Sequence, residues 1–157
     1  MITRISKLLA LLFSSGFSAG LLVTSIVIVD SWGQMNPAAA VDWFAVYGLT
    51  LGFVMAPLGG LAVLFSLVAF VSILIRGKDR AQKIAWLLAL ACTVGTMALL
   101  PIYFGEANTR FFEKTIELPQ VAEEIERWAS WNWVRTNLAL AATVVILIAL
   151  ARERADT

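Results

Sequence analysis

Four long apolar runs, separated by short polar links, make up most of this chain. Leu8 to Val29 contains no charged residue. The second run ends at Ile75 against Arg76, Lys78, Arg80 and Lys83, the third covers Ile84 to Phe104, and the fourth extends from about Val134 to Ala151. A bilayer core about 30 Å thick needs roughly 20 helical residues at about 1.5 Å each. Every run meets that length. The pattern predicts one all-α domain, a four-transmembrane-helix bundle, with spans over about 8–29, 53–75, 84–104 and 131–151.

Two of the runs contain backbone breaks. A helix from Trp43 to Ile75 would be about 50 Å long, and Pro57, Gly59 and Gly60 interrupt it. Two forms fit: a kinked helix, or a separate outer helix from about Pro37 to Val54 that lies on the surface or tilts into the bundle. Pro101 should bend or end the third helix near Tyr103. Small residues mark where helices touch: Gly16 with Gly20, Gly48 with Gly52, Ala91 with Gly95, and Ala139 with Ala142. Such spacings favour close helix packing, here within one bundle rather than between two copies. Arg4 and Lys7 followed by Leu8 to Phe13 have the form of a signal peptide. The apolar run continues to Val29, however, which is too long for a cleaved segment and predicts a retained first helix.

Charge gives the bundle an orientation. Eight of the twelve Lys/Arg residues (Arg4, Lys7, Arg76, Lys78, Arg80, Lys83, Arg152, Arg154) fall on one side of the spans. Excess basic residues in short links mark the cytoplasmic side. The expected location is a bacterial inner (plasma) membrane, with both termini cytoplasmic and the two longer loops outside. A net charge of +1 and the lack of a basic stripe argue against a nucleic-acid partner. The chain has no histidine and one cysteine, Cys92, so no intramolecular disulfide forms. Without histidine, a protein-ligated metal would need a cluster of carboxylates, and no pair of them lies within a span. No metal and no cofactor is expected.

The polar and aromatic chemistry gathers on the outer side. Trp32, Trp43, Trp128, Trp131 and Trp133 lie there, with only Trp86 near the other face. A membrane-interface belt is roughly two-sided, so this excess predicts an aromatic cap over the bundle, which either packs on itself or holds a flat apolar ligand. Pro119 should start a helix that runs directly into the fourth span. Val121, Ile125, Trp128, Asn132, Arg135 and Ala139 then share one face. The apolar members of that face must turn inward, which carries Asn132 and Arg135 into the bundle near its outer mouth. A charged residue there is costly unless paired. Glu106, Asp30 and Asn108 are the expected partners, and Trp131, four residues earlier, is placed to stack on the guanidinium. The alternative is an arginine that snorkels to the headgroups.

Pro101-Ile-Tyr-Phe-Gly-Glu-Ala-Asn108 after the third span, and Trp128-Ala-Ser-Trp-Asn132-Trp-Val-Arg135 opening the fourth, resemble two elements of the anthrone-oxygenase-like family of small four-helix membrane proteins. Pro101 and Asn108 match its Pro-to-Asn element, and Trp128, Asn132 and Arg135 match its second element. The resemblance implies oxygenation of an anthrone-type aromatic without metal or flavin. With the inward face read above, it makes Asn108, Trp128, Asn132 and Arg135 candidate ligand-binding residues, joined by Glu106 and Trp131 from the reading of that face, with Glu106 as the best available base if it is partly buried. The expected partners are the lipid bilayer and a small apolar or aromatic ligand. A second reading is a non-catalytic accessory subunit bound to other membrane subunits. A transporter or channel is disfavoured, because no inverted repeat is visible and Arg135 alone would supply a charge to a pathway.

Overall fold

The computed structural model of the chain describes residues 2–76 and 79–155. Lys78, counted above among the basic residues of one side, lies outside them. Among the described residues there is helix and no strand. The elements are α1 (Ile2–Val23), a π-helical turn (Thr24–Ile28), α2 (Val29–Gly33), α3 (Pro37–Ile75) and α4 (Arg80–Leu99). A second π-helical turn (Leu100–Phe104), α5 (Gly105–Phe112), a 3-10 turn (Leu118–Gln120) and α6 (Val121–Ala155) complete the chain. Four helical stretches, Arg4–Gly33, Pro37–Ile75, Arg80–Phe112 and Leu118–Glu153, are long and apolar enough to cross a membrane. The protein is an all-α four-helix membrane bundle.

Neighbours in sequence are neighbours in space. α1 packs on α3, α3 on α4, α4 on α6, and α6 returns to α1. One end carries the start of α1, the end of α3, the start of α4 and the end of α6. The other is closed by α2, α5 and the first turns of α3 and α6, and is called the capped end below. Large apolar side chains such as Leu12, Ile26, Phe53, Val71, Leu88 and Leu147 are exposed along the outside. A protein in water rarely presents so much contiguous apolar surface, whereas lipid is its natural solvent.

The second apolar run forms one continuous helix. α3 has 39 residues and passes through Pro57 without ending, which makes it about 58 Å long. No separate outer helix over residues 37–54 exists. Pro57 lies on an exposed face, where the missing N–H and the ring disturb no interhelical contact. Pro101 is absorbed differently. The chain widens into a π-helical turn over Leu100–Phe104 and continues as α5 to Phe112. The expected stop near Tyr103 is therefore a change of pitch, a common response to a missing i→i−4 bond. α5 ends where Lys114 adopts φ 54°. The amides of Lys114 and Thr115 bond back to the carbonyls of Phe111 (3.2 Å) and Arg110 (3.0 Å), the pairing that closes a helix through one left-handed residue. That reversal tucks Ile116 beneath the cap.

Small residues bring the helices together in the middle of the bundle, as their spacing predicts. Ala139 packs beside Phe17 and Leu21, and Gly20 lies so close to Met55 that a methyl group there would displace the methionine side chain. Hydroxyls tie α1 to α6. Ser18 Oγ donates to the Ala139 carbonyl (2.9 Å) and lies 2.9 Å from Thr143 Oγ1, which in turn bonds Ser14 Oγ (3.1 Å). At the terminal end, buried Lys7 pairs with Glu153 and lies over the Trp86 ring at 5.8 Å. That contact joins the two ends of the chain.

Candidate functional site

α6 presents the face expected of it. Val121, Ile125, Trp128, Asn132, Arg135 and Ala139 are all buried. The first three enter the aromatic cap, and the next two lie beneath it.

The cap is a packed cluster centred on Trp32, which is 1% exposed. Its ring stacks on Phe44 at 5.0 Å and meets Phe111 and Trp128 edge-on at 4.9 and 5.7 Å. Its Nε1 donates to the Ala40 carbonyl at 2.9 Å, satisfying the one polar atom it brings inside. Phe104 meets Trp128 edge-on at 5.2 Å and closes the cluster on the α4 side. Glu124 anchors this assembly. Its buried carboxylate accepts from Tyr103 Oη (2.7 Å) and Arg110 Nη1 (3.2 Å), with Arg127 Nη1 at 3.5 Å. An acidic residue on α6 thus clasps the π-helical turn and α5. Residue order carries no sign of this, because Arg110 and Tyr103 lie 14 and 21 positions away on other elements.

Under the cap lies a cavity of about 100 Å³. Trp32, Trp43, Phe44 and Trp128 form its ceiling, and Leu21, Met55 and Met97 its floor. Thr24, Asn108, Asn132 and Arg135 are among its polar lining residues. Gly48, Gly52 and Ala56, spaced by four along α3, form one wall. Gly52 and Ala56 are also exposed, and a methyl group added at Gly52 would meet nothing within 4 Å. The cavity therefore opens sideways through α3, beside exposed Leu49, Phe53 and Val54.

The structure brings four of the six candidate residues to this cavity. Asn108, Trp128, Asn132 and Arg135 line it, whereas Glu106 and Trp131 do not. Trp131 turns away and stacks on Tyr103 at 5.4 Å. Glu106 is exposed on the first turn of α5, so it is not the buried base that its candidacy required. Asn108 Oδ1 accepts from Trp128 Nε1 at 2.9 Å and fixes that indole rather than the arginine. Asp30 is exposed and accepts from Gln34 at 3.0 Å.

Arg135 consequently lacks the counter-ion expected for it. Among the described residues no carboxylate lies within 4.0 Å of its guanidinium, and its fully buried Nε has no hydrogen-bond partner. It lies over the Phe104 ring at 4.5 Å, a contact that offsets part of its desolvation cost. At 7% exposure it does not snorkel. One turn away, Asn132 donates to Ser25 Oγ at 2.8 Å, while its Oδ1 is buried without a partner. A cation and a carbonyl oxygen, both unsatisfied, border one apolar cavity. In native proteins most buried polar groups are paired, and each exception calls for an explanation; among the described residues Ser66 Oγ, Gln82 Oε1 and Trp86 Nε1, away from this cavity, are also buried without a partner.

Residues 43–145 match the family described as anthrone oxygenase. The chain belongs to the anthrone oxygenase family. The match includes both sequence elements noted above and all four cavity residues on α5 and α6, but stops short of Trp32 and the α1 wall. Among the described residues no group of three or more His, Cys, Asp or Glu side chains is placed to hold a metal ion. No curated protein and no solved structure matches the chain.

Proposed function

We propose that this anthrone oxygenase family member takes a small apolar or aromatic ligand from the bilayer into the cavity beneath its aromatic cap. The observation that carries the reading is the pair of unsatisfied polar groups, on Arg135 and Asn132, bordering an otherwise apolar cavity. Ligand sites are typically apolar concavities with a few polar groups that fix orientation. The opening at Gly52 and Ala56 faces the lipid side of α3, which suits a ligand dissolved in the membrane. A cavity of about 100 Å³ is smaller than the roughly 150 Å³ that holds one benzene ring, so a single ring extends into the lateral opening and a polycyclic ligand needs the cap to yield.

Family membership adds an oxygenation to this reading. No carboxylate lines the cavity, so the residues support binding and orientation more directly than proton removal. Arg135 is the group able to hold an oxygen that carries or develops negative charge. On the charge pattern, the membrane is a bacterial inner membrane, with the termini cytoplasmic and the cap outside.

Two experiments test the reading. Purified protein extracted with organic solvent should release a small apolar compound in near-equal molar amount. An empty extract accompanied by stably co-purifying membrane subunits would instead favour an accessory role. Reporter fusions after Arg80 and at the C-terminus should report cytoplasm, and a fusion near Glu117 the outside. An outside signal at Arg80 overturns the orientation.

A further inference from the structure

We infer that the ligand of this cavity is an organic anion, a carboxylate whose charged oxygens seat on Arg135 and whose apolar body lies under Trp32 and Phe44. This rests on the reading of the cavity as a ligand site and goes further by naming the chemical class. A buried guanidinium is normally matched by a carboxylate, because removing an ion from water is costly unless a counter-charge restores the loss. Acidic groups do lie at this end of the bundle, but each is engaged elsewhere or turned outward. Glu124 is held by Tyr103 and Arg110, Asp30 faces Gln34, and Glu106 is exposed. The protein supplies the cation and withholds the anion, at a position bordering space that an apolar group can enter.

The surroundings narrow the class. Arg135 Cζ lies over the Phe104 ring at 4.5 Å, a contact that uses none of the guanidinium N–H groups for hydrogen bonding. The planar fork of a guanidinium suits planar, bidentate acceptors such as a carboxylate. The apolar ceiling and floor exclude a fully hydrated inorganic ion. The sideways mouth beside Leu49 and Phe53 admits a molecule that partitions into lipid with its head near the boundary. Such an anion has two sources, an aromatic acid or a single-chain fatty acid of the bilayer. Both present the same oxygen to Arg135.

The test uses the purified full-length protein in nanodiscs and follows the fluorescence of the tryptophans bordering the cavity. The probes are benzoate and octanoate, each compared with its neutral counterpart, benzyl alcohol or octanol. A charge-assisted hydrogen bond in a desolvated site predicts at least about tenfold tighter binding of the anion. The better of the two anions identifies the source. The preference should vanish in Arg135→Leu, and equally in Arg135→Gln, which keeps an amide donor and guards against a folding defect of the first. Gly52→Leu, which fills open space at the mouth, should block every probe. Equal binding of anion and neutral partner, or a preference that survives both arginine variants, overturns the anion. If Gly52→Leu still blocks binding in that case, the ligand site stands without it. No saturable response to any probe overturns both.

Discussion

Arg135→Leu should produce a protein that is more stable and yet retains no ligand. The arginine is buried with no ion pair, and its Nε has no partner. An unsatisfied buried polar group costs about 1–3 kcal/mol, of which the contact with Phe104 returns about 1 kcal/mol. Leucine keeps the apolar stem against Phe104 and removes the charge. A net gain of about 1 kcal/mol follows, equivalent to roughly 2–4 °C in a chain of this size. Insertion into the membrane should also become easier. Arg135→Lys should restore ligand retention only in part, because a point charge lacks the planar fork and stacks less well. Thermal unfolding in detergent, combined with extraction of bound compound, reads both effects from one preparation. A leucine variant that is less stable and retains the ligand would mean that Arg135 serves only to hold the fold.

The second large effect lies in the cap. Trp32→Ala should destabilise the protein by about 3–5 kcal/mol, the usual cost of emptying a large buried aromatic site. Trp32 is in ring contact with Trp43, Phe44, Phe111 and Trp128, and it is the chief contribution of α2 to the capped-end core. Its loss should free α2 and admit water to the cavity. Trp32→Phe should cost much less, about 1 kcal/mol for the lost bond to the Ala40 carbonyl. Protease sensitivity of the segment around residues 33–36, measured with unfolding temperature, separates local opening of the cap from a general loss of stability. Equal effects of the two substitutions would contradict a role based on packing.

Much of this architecture can be read from residue order, and what is hidden has a common physical cause. Helix periodicity states the direction in which a side chain leaves its axis. The buried face from Val121 to Ala139 was legible for that reason, and so was the inward aim of Arg135. Periodicity does not state the axial offset or rotation of the neighbouring helix. Trp131 is placed for a contact with Arg135 along α6, but Tyr103 from the π-helical turn stacks on it first. Glu106 and Asp30 have the right charge at the right end, yet each lies on an outward face. The pairing of Asn108 with Trp128, and the clasp of Glu124 on Tyr103 and Arg110, depend on how α5 docks. That docking follows from the extra residue in the turn at Pro101, a pitch change that the sequence signals only as a break. Pro57 shows the reverse case, a strong local breaker tolerated because its face of α3 carries no helix contact.

Heavy-atom crystallography reads occupancy of the cavity directly. Crystals of the full-length protein soaked with 4-bromobenzoate should show a bromine anomalous peak between the Trp32 ceiling and the Gly52 wall, with the carboxylate directed at Arg135. Crystals of Gly52→Leu should lose that peak. Bromine found only among lipids around the bundle, with the space beneath the cap unchanged, would mean that the cavity is not a ligand site.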